Sequence, residues 1–477
     1  MIFIWCALQA SIFAFGFLTQ KFNTDLAILN KIGLSVLLSR GAGLCLAILP
    51  VFIILPMCKR TMSFLSNYCT KLPEILQQLH LLASYTLAFF AAIHSVSHYV
   101  NFYVIDQNRI INSTISTIHH HTIGGITGHI MVVSLFIIFI FSANFLIREK
   151  YSTFIVIHSV YLIYFTAFII HGTGCFVRGV SGKCYPYYSS AFVAVPMTIF
   201  ILERLYRVIF TPTVFTTSIT NYSDGAKITT KRNFDYVAGQ YVFVNFPEVS
   251  KYYWHPITIS SCPLLSLDTI GLSIKDVGDW TGNVRELCAS KGVVQVRLDG
   301  PYYSPCRRHT EFDNVIFVCS GIGITPFLSI IKDFAMQYMS TDYMFAFNRK
   351  IDIYWVSRNR QDIIWFEEIF SDLAFVIPSV NLNIMVFITD PMLDAVKVKD
   401  VSLGRNPSFD NLTDSKVLIN YMRPDLNKLF SKYSYNNLNS KVGVFICANE
   451  GLTSDTIRTA EKFSNKNVSF ECIVEKF

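Results

Sequence analysis

Six long runs almost without charge dominate the first 210 residues and limit what this chain can fold into. Five of the runs contain no Asp, Glu, Lys or Arg, and the run 32–57 contains only Arg40. A transmembrane helix needs ~20 apolar residues to cross the hydrocarbon layer, and each run is about that long or longer. We therefore predict six transmembrane helices, near residues 2–18, 35–57, 79–103, 124–147, 154–174 and 189–209.

Composition divides the chain into a membrane half and a soluble half. The 477 residues are 52% hydrophobic and only 15% charged, whereas an ordinary soluble domain is about 25% charged. Residues 211–477 nevertheless mix apolar and charged side chains in the usual soluble proportion. These figures argue against a wholly soluble protein and against a disordered one.

Net charge and cysteine spacing exclude further classes. The formal net charge is +7 without a long basic stripe, so nucleic-acid binding has no support. The 12 cysteines include no Cys-x-x-Cys pair and no zinc-like spacing, which argues against a disulfide scaffold and against a zinc protein.

Loop charges indicate the orientation in the membrane. With the N-terminus inside, the inner loops carry more Lys and Arg than the outer loops, as the positive-inside rule requires. The first run has no basic segment before it, so we predict a helix and not a signal peptide. We expect a multi-pass protein of the plasma membrane or an endomembrane with both termini in the cytosol. The sequon Asn112-Ser113-Thr114 then lies outside.

The soluble half alternates strands with helices. Residues 241–246 form an apolar β-rich run, and 315–319, 351–356 and 442–447 are typical of buried strands. The stretches after the last three are typical of helices. This βα alternation predicts a parallel, nucleotide-binding sheet at the C-terminus.

Two of the predicted membrane helices carry a pair of histidines each. His80 and His94 are 14 residues apart on the third helix, and His158 and His171 are 13 apart on the fifth. Each pair spans ~20 Å along its helix, so the four side chains would hold two stacked haems by bis-imidazole ligation. The alternative is a set of hydrogen-bonded histidines inside a helical bundle.

The spacing on the fifth helix raises a geometric problem. At ~100° per residue, 14 residues return within ~40° of one face, but 13 residues miss it by ~140°. A straight fifth helix would direct His158 and His171 apart. We therefore expect a bend or a π-bulge between them.

Other polar residues lie near the outer end of the membrane half. His98 follows His94 by one turn, and Arg40 lies within the second helix, where it would pair with a haem propionate or an anion or snorkel to the interface. We interpret His119-His120-His121 as a solvated loop feature.

Two segments of the soluble half suit a flavin. The segment 255–261, which begins His255-Pro256-Ile257-Thr258, follows a predicted strand and offers one aromatic ring and several hydroxyl groups. Lys275 precedes Gly278-Asp279-Trp280-Thr281, where a helix N-terminus would receive a pyrophosphate. A surface turn is the alternative for each segment.

A third segment suits a dinucleotide. Gly321-Ile322-Gly323-Ile324-Thr325-Pro326-Phe327 follows a predicted strand; its glycines allow close approach of a phosphate, and Thr325 would cap the next helix. Arg358 and Arg360 follow the next strand, where they would pair with a 2′-phosphate or remain solvated.

Taken in order, these segments resemble the NADPH oxidase family, within the ferric-reductase-like transmembrane superfamily. The resemblance covers nearly the whole chain. It rests on the histidine spacing together with His94-Ser95-Val96-Ser97-His98, Gly125-Ile126-Thr127-Gly128, 239–244, Trp254-His255-Pro256, 277–281, Gly300-Pro301-Tyr302, 321–327, Tyr354-Trp355 with Arg358, Arg423-Pro424, 443–447 and Phe477.

The resemblance implies a fold class and three domains. The expected fold is a six-helix transmembrane bundle holding two haems, followed by a ferredoxin-NADP-reductase-like module. Its domains would be the bundle at 1–210, an FAD-binding β-barrel at 211–305 and an NADPH-binding α/β domain at 306–477. Cys175 and Cys184 would form a disulfide in an outer loop that is short for the family.

The resemblance also implies a role for each site residue. His80 and His158 would ligate the inner b-type haem, His94 and His171 the outer one, and Arg40 and His98 would act where oxygen is reduced. The residues that would bind FAD are His255, Pro256, Thr258, Lys275, Trp280, Thr281 and Phe477. The residues that would bind NADPH are Gly321, Gly323, Thr325, Pro326, Arg358, Arg423 and Cys447.

The leading hypothesis is therefore an NADPH oxidase that passes electrons through FAD and two haems to O2, releasing superoxide or hydrogen peroxide. Its partners would be O2, the lipid bilayer and a small membrane subunit or cytosolic activators. One alternative is a ferric-chelate reductase with the same electron path. A more distant one is a six-helix transporter or channel with a nucleotide-binding regulatory tail.

Overall fold

The computed structural model describes residues 2–107, 119–142, 151–175, 177–339, 349–358, 361–366, 382–389, 418–436 and 440–475. The chain forms two compact units, which meet in sequence between Phe210 and Thr211.

The first unit is helical. Its helices are α1 (Ile2–Phe22), α2 (Ala27–Asn30), α3 (Leu34–Ile54), α4 (Lys59–Leu65), α5 (Leu72–Gln107), α6 (Ile123–Phe141), α7 (Tyr151–His158), α8 (Tyr161–Thr173) and α9 (Ser189–Phe210). Short 3-10 turns occupy Thr24–Leu26 and Leu55–Met57.

Five helical stretches of the described residues are long and apolar enough to cross a membrane: Ile2–Phe22, Leu34–Met57, Leu72–Gln107, Ile123–Phe141 and Thr153–Thr173. They correspond to the first five predicted spans. The sixth predicted span is the helix α9, which does not belong to this group and carries Glu203, Arg204 and Arg207 near its C-terminal end.

Helix α3 lies at the centre of this unit. It packs against α1, α5 and α9, and its Ala42, Cys45 and Leu49 are fully buried. Helix α6 instead exposes large apolar side chains, among them Phe136 and Val133. An exposed surface of this kind suits contact with lipid, because its side chains are apolar and the helix satisfies its own backbone hydrogen bonds.

The fifth membrane helix is interrupted where a bend or a π-bulge is predicted. Helix α7 ends at His158 and α8 begins at Tyr161, with a turn at 159–160 between them. There the amide of Val160 donates to the Ile157 carbonyl, and the amide of Leu162 to the Ser159 carbonyl. These bonds span three residues instead of four, so the turn is tighter than an α-helix and is not a π-bulge.

The second unit begins with an antiparallel barrel. Its strands are β1 (Thr213–Tyr222), β2 (Gly225–Lys231), β3 (Tyr241–Asn245), β4 (His255–Thr258), β5 (Thr269–Lys275) and β6 (Gln295–Tyr302). They are ordered β4-β3-β6-β1-β2-β5. A bridge between Ile259 and Leu272 joins the two edges, and helix α10 (Asp279–Ser290) packs against β1, β2 and β5.

A parallel sheet follows the barrel. Its strands are β7 (Asn314–Ser320), β8 (Lys350–Ser357), β9 (Leu382–Ile388), β10 (Leu418–Asn420), β11 (Ser440–Cys447) and β12 (Val468–Val474), ordered β10-β9-β8-β7-β11-β12. The helices are α11 (Thr325–Met339), α12 (Gln361–Ile364), α13 (Leu426–Asn436) and α14 (Glu450–Phe463), with 3-10 turns at Pro305–Glu311 and Gly321–Ile324. The four strands predicted from sequence are confirmed as β3, β7, β8 and β11.

Strand β7 is central to this sheet, and a hydrophobic core covers each of its two faces. Phe317 belongs to the hydrophobic core on one side, and Ile316 and Val318 belong to the core on the other. Since β7 lies between β8 and β11, the direction of strand order reverses beside it. In parallel sheets the crevice at such a reversal, at the carboxyl ends of the strands, is where ligands bind.

Replacement of Phe317 tests the importance of this core. Phe317 is fully buried and its ring lies 4.3 Å from that of Phe327, centroid to centroid. We expect Phe317→Ala to lower the free energy of unfolding by ~3–5 kcal/mol, because it leaves a cavity in a packed sheet. Guanidinium unfolding of the whole protein, followed by tryptophan fluorescence, measures the change.

The matched control is Phe215→Ala on β1, because Phe215 is 59% exposed. It should change the free energy of unfolding by no more than ~0.5 kcal/mol. Equal effects of the two substitutions would contradict the central position of β7.

Candidate functional site

The two histidines of α5 hold the same kind of hydrogen bond. The Nδ1 atom of His80 lies 2.8 Å from the Ile53 carbonyl oxygen, and that of His94 lies 2.9 Å from the Ser39 carbonyl oxygen. A carbonyl can only accept, so each Nδ1 carries the proton. The lone pair of each imidazole is therefore on Nε2, the atom left for a metal.

The histidines of the broken fifth helix follow the same rule with hydroxyl partners. The Nδ1 atom of His158 lies 3.2 Å from Ser142 Oγ, and that of His171 lies 2.8 Å from Thr127 Oγ1. Both hydroxyls donate to backbone carbonyls of their own segment, so they accept from the imidazoles. The four rings thus share one tautomer.

The four histidines form two levels. His158 lies within electrostatic range of His80, and His171 within range of His94. A Cβ atom on Gly43 would lie only 3.3 Å from Cε1 of His94, so glycine leaves room for this ring. Two imidazoles at each level, with oriented Nδ1 atoms, are a donor set that fits a pair of six-coordinate haems.

Arg40 and His98 lie beside the level formed by His94 and His171. The ring centroid of His98 is 4.5 Å from that of His94. A guanidinium nitrogen of Arg40 donates to the Tyr185 carbonyl at 3.1 Å, and its Cζ atom lies 3.8 Å from the centroid of Tyr187. The Nε atom of Arg40 is buried and has no hydrogen-bond partner among the described residues, so it suits an anion.

The interpretation of His119-His120-His121 as a solvated loop feature is wrong for His119. This side chain is only 9% exposed, because its ring packs against Tyr99 at 4.7 Å and Phe102 at 5.2 Å. His129 is a further residue of this cluster that no sequence motif indicates, and its Nε2 lies 2.9 Å from the hydroxyl of Tyr99. Nothing near these residues in sequence predicts the contact between α5 and α6 that brings Tyr99 and His129 together.

The predicted flavin segments meet on the barrel. The ring of His255 stacks on that of Trp280, with centroids 3.8 Å apart. Burial lowers the pKa of His255 to about 4, so the ring is neutral at pH 7. The segment that begins at His255 follows the strand β3, as predicted, and its residues 255–258 are themselves the edge strand β4. An edge tolerates Pro256, which has no amide to donate.

The helix N-terminus predicted after Lys275 is also present. Helix α10 begins at Asp279, and the hydroxyl of Thr281 accepts from the amides of Val277 and Gly278 at 2.9 and 3.0 Å. Thr281 therefore completes the cap of its own helix. Its predicted contact with FAD, like that of Thr258 on β4, stays a prediction.

Lys275 has protein partners that its neighbours in sequence do not predict. Its ammonium pairs with Asp362, and its Nζ lies 3.1 Å from an Asp224 carboxylate oxygen. Asp224 also accepts from the indole of Trp365 at 3.0 Å, and Asp362 accepts from Ser357. Lys275 thus joins the barrel to the parallel sheet within the second unit.

The glycines of the predicted dinucleotide loop have separate structural reasons. Gly321 adopts φ = +51°, and its carbonyl accepts from the Trp355 indole at 2.9 Å. A Cβ atom on Gly323 would overlap the backbone of Cys447. The glycines therefore shape the loop after β7 before any ligand is considered.

The prediction that Thr325 caps the following helix is wrong. Thr325 is the first helical residue of α11, and its hydroxyl donates to the Ile322 carbonyl at 3.0 Å. The 3-10 turn before it moves the cap position upstream. Pro326 follows in the first turn, where a missing amide proton costs little.

The remaining predicted NADPH residues lie at the carboxyl ends of their strands. Arg358 follows β8 and Arg423 follows β10, and both are exposed. Cys447 ends β11 directly beside Cys319. Burial, reinforced by the Glu475 carboxylate, raises the pKa of the Cys447 thiol.

The predicted flavin-covering residue Phe477 lies outside the described residues. Two positions earlier is Glu475, which no sequence motif indicates. Its carboxylate accepts from the hydroxyl of Ser304 at 2.6 Å, and its amide donates to the Ile446 carbonyl at 2.8 Å. The end of the described chain is thus fixed to β11 and to the segment that leaves the barrel.

Three family models match the chain in succession. Residues 42–169 match "Ferric reductase like transmembrane component", residues 215–306 match "FAD-binding domain", and residues 312–461 match "Ferric reductase NAD binding domain". Among solved structures, a ferredoxin NADP+ reductase from Neisseria gonorrhoeae is similar at 16% identity and a TM-score of 0.38, over 55% of this chain and 98% of that one.

Relatives that match nearly all of this chain agree with these domain matches. NADPH oxidase 1 of Mus musculus is 25% identical over 97% of this chain and 90% of its own length. A superoxide-generating NADPH oxidase heavy chain of Dictyostelium discoideum is 25% identical over 92% of this chain and 68% of its own length. The chain thus matches a ferric-reductase membrane component, an FAD-binding domain and a ferric-reductase NAD-binding domain in this order, and it is similar to proteins named NADPH oxidase along nearly its whole length.

Proposed function

We propose that this protein is a transmembrane NADPH oxidase that reduces O2 on the side of the membrane opposite to its NADPH site. The observation that carries the proposal is the matched set of four histidines, each oriented by a hydrogen bond at Nδ1. The relatives named NADPH oxidase support O2 as acceptor, and a ferric-chelate reductase is not favoured.

His80 and His158 would hold the inner b-type haem, and His94 and His171 the outer one. When bound, the flavin and the haems convert a hydride donor into a source of single electrons. The chain's own contribution is orientation. Each Nδ1 hydrogen bond keeps the ring from rotating and raises the basicity of Nε2.

The acceptor site would lie beside the outer haem. His94 and His171 would hold that haem, which would supply the electron, and the residues beside His94 would bind O2. Arg40 supplies a fixed positive charge close to His94 and His98. Its buried Nε has no partner in the described chain, so it would donate to the oxygen anion as charge develops.

The second unit would bind both nucleotides. The stacked His255 and Trp280, with Pro256, Thr258 and Thr281, offer a surface and a helix N-terminus for FAD. The crevice beside β7 would receive NADPH at Gly321, Gly323, Thr325 and Pro326, with Arg358, Arg423 and Cys447 around it. Lys275, which pairs with Asp224 and Asp362, would contact FAD, and Phe477 would cover the flavin ring.

We further propose that both termini are cytosolic, so that cytosolic NADPH supplies the electrons. The membrane would be the plasma membrane or an endomembrane. A small membrane subunit or cytosolic activators would regulate the protein, as the family resemblance implies. Superoxide or hydrogen peroxide would be the released product.

Replacement of a proposed haem ligand is the direct test of this function. We expect His94→Leu to lose one of the two haems and to abolish superoxide production, because leucine offers no ligand atom. Haem content by pyridine haemochrome and dismutase-sensitive superoxide from NADPH measure the two effects in purified protein.

His129→Leu is the matched control. His129 also lies on a membrane helix, but both of its ring nitrogens are engaged, Nε2 with the Tyr99 hydroxyl and Nδ1 with the Gly125 carbonyl. It should retain both haems. Full haem content in His94→Leu would refute the ligand assignment. Haems that are reduced by NADPH and pass their electrons to an added ferric chelate, giving Fe(II), but not to O2 would indicate a metalloreductase.

Arg358 tests the nucleotide site. We expect Arg358→Ala to raise KM for NADPH about 10- to 100-fold and to leave KM for NADH nearly unchanged, because only NADPH carries the 2′-phosphate that a charged hydrogen bond would hold. Steady-state reduction of an artificial dye measures both constants. Arg458→Ala is the control, since Arg458 is an exposed arginine on α14. Equal losses for both nucleotides would contradict the assignment.

A further inference from the structure

A disulfide loop connects α8 to α9. We use this name for Cys175 together with residues 177–188. Cys175 is bonded to Cys184, and the amide of Tyr185 donates to the Val177 carbonyl at 2.9 Å. The loop is therefore a small cross-linked hairpin, while most of its side chains are exposed or half-buried.

One carboxylate from a different part of the first unit holds this loop. Asp25 lies in the 3-10 turn between α1 and α3. Its two oxygens accept from the Ser181 amide at 2.8 Å, the Ser181 hydroxyl at 2.6 Å and the Tyr185 hydroxyl at 2.8 Å. Its backbone carbonyl accepts from Val180 at 2.9 Å. Hydrogen bonds to a carboxylate are charge-assisted and strong.

The loop sequence fits this carboxylate closely. A Cβ atom on Gly179 would overlap Oδ2 of Asp25, so glycine is required for the approach. The hydrogen bonds from Ser181 lower the pKa of Asp25, and the carboxylate is ionised at neutral pH. The connection between α1 and α3 and the connection between α8 and α9 are thereby fastened together.

Tyr185 connects this contact to the proposed acceptor site. Its hydroxyl donates to Asp25, while its carbonyl accepts from the guanidinium of Arg40. The neighbouring Tyr187 lies over the same guanidinium, and its hydroxyl donates to the Arg40 carbonyl at 3.0 Å. Arg40 therefore contacts the loop through both its guanidinium and its backbone carbonyl.

We propose that Asp25 is a positioning residue for oxygen reduction, which fixes the disulfide loop through Ser181 and Tyr185 and thereby sets the place of Arg40 beside the acceptor site. Asp25 itself touches neither histidine pair in the described contacts. Its effect would pass through the Tyr185 carbonyl and the ring of Tyr187. This inference rests on the proposed function, because it concerns the residue that would stabilise the oxygen anion.

The first test measures the loop and not the reaction. Hydrogen–deuterium exchange of the loop peptide is compared in the full-length protein in nanodiscs for the unmodified chain, Asp25→Asn and Gly179→Ala. We expect both variants to exchange on the order of tenfold faster, because each removes the protection given by the same contact. Gly179→Ala does so without removing a charge.

Asp106→Asn is the matched control. Asp106 lies near the C-terminal end of α5, which the alternation of helices places at the same end of the bundle as Asp25. It has no hydrogen bond to the loop among the described residues. Exchange should stay unchanged in this variant. Unchanged exchange in Asp25→Asn and Gly179→Ala would overturn the proposed contact.

The second test measures the acceptor. We expect Asp25→Asn to raise KM for O2 about tenfold, while haem content and KM for NADPH remain unchanged; a loss of folding would lower haem content as well. Tyr185→Phe removes only the hydroxyl that reaches Asp25, so it should give part of this rise. The double variant should not exceed Asp25→Asn alone, because the two residues act in one contact.

The outcomes separate the inference from the function on which it rests. Faster exchange without a change in KM for O2 would show that the loop is fastened by Asp25 but does not position Arg40, which overturns the proposal. Absence of NADPH-driven O2 reduction in the unmodified protein would instead refute the proposed function and the oxygen role together. The exchange measurement would still decide whether Asp25 holds the loop.

Discussion

The hydrogen bonds between α3 carbonyls and α5 histidines are the interaction on which the membrane unit depends. Ile53 and Ser39 are 14 residues apart, as are His80 and His94, and the two helices run in opposite directions. Polar groups in a hydrocarbon layer need internal partners. One set of bonds therefore satisfies the imidazoles, fixes their tautomer and sets the register of the central helix pair.

Much of the architecture could be predicted because it depends on period and length alone. Uncharged runs gave the membrane helices, and short apolar runs after turns gave β3, β7, β8 and β11. The 13-residue spacing of His158 and His171 predicted the break in the fifth helix, since a regular helix would direct the two rings apart. Each of these inferences uses only residues that are near one another in sequence.

The errors and omissions involve contacts that are distant in sequence or caps that depend on one extra turn. The sequence predicts Thr325 as a cap because it contains no sign of the 3-10 turn at Gly321–Ile324. It predicts His119 in solvent because nothing near this residue in sequence indicates packing on Tyr99. It does not indicate a role for Asp25, since the partners Ser181 and Tyr185 are about 160 residues away.

The two histidine pairs differ in how their geometry is specified. On α5 the separation is that of an unbroken helix matched against a second helix, so inserting one residue between His80 and His94 would rotate one ring by ~100° and break its carbonyl bond. The other pair is separated by the turn at 159–160, which can absorb part of such a rotation. Relatives of this protein should therefore tolerate no insertion or deletion between His80 and His94, whereas the spacing of His158 and His171 can differ among them.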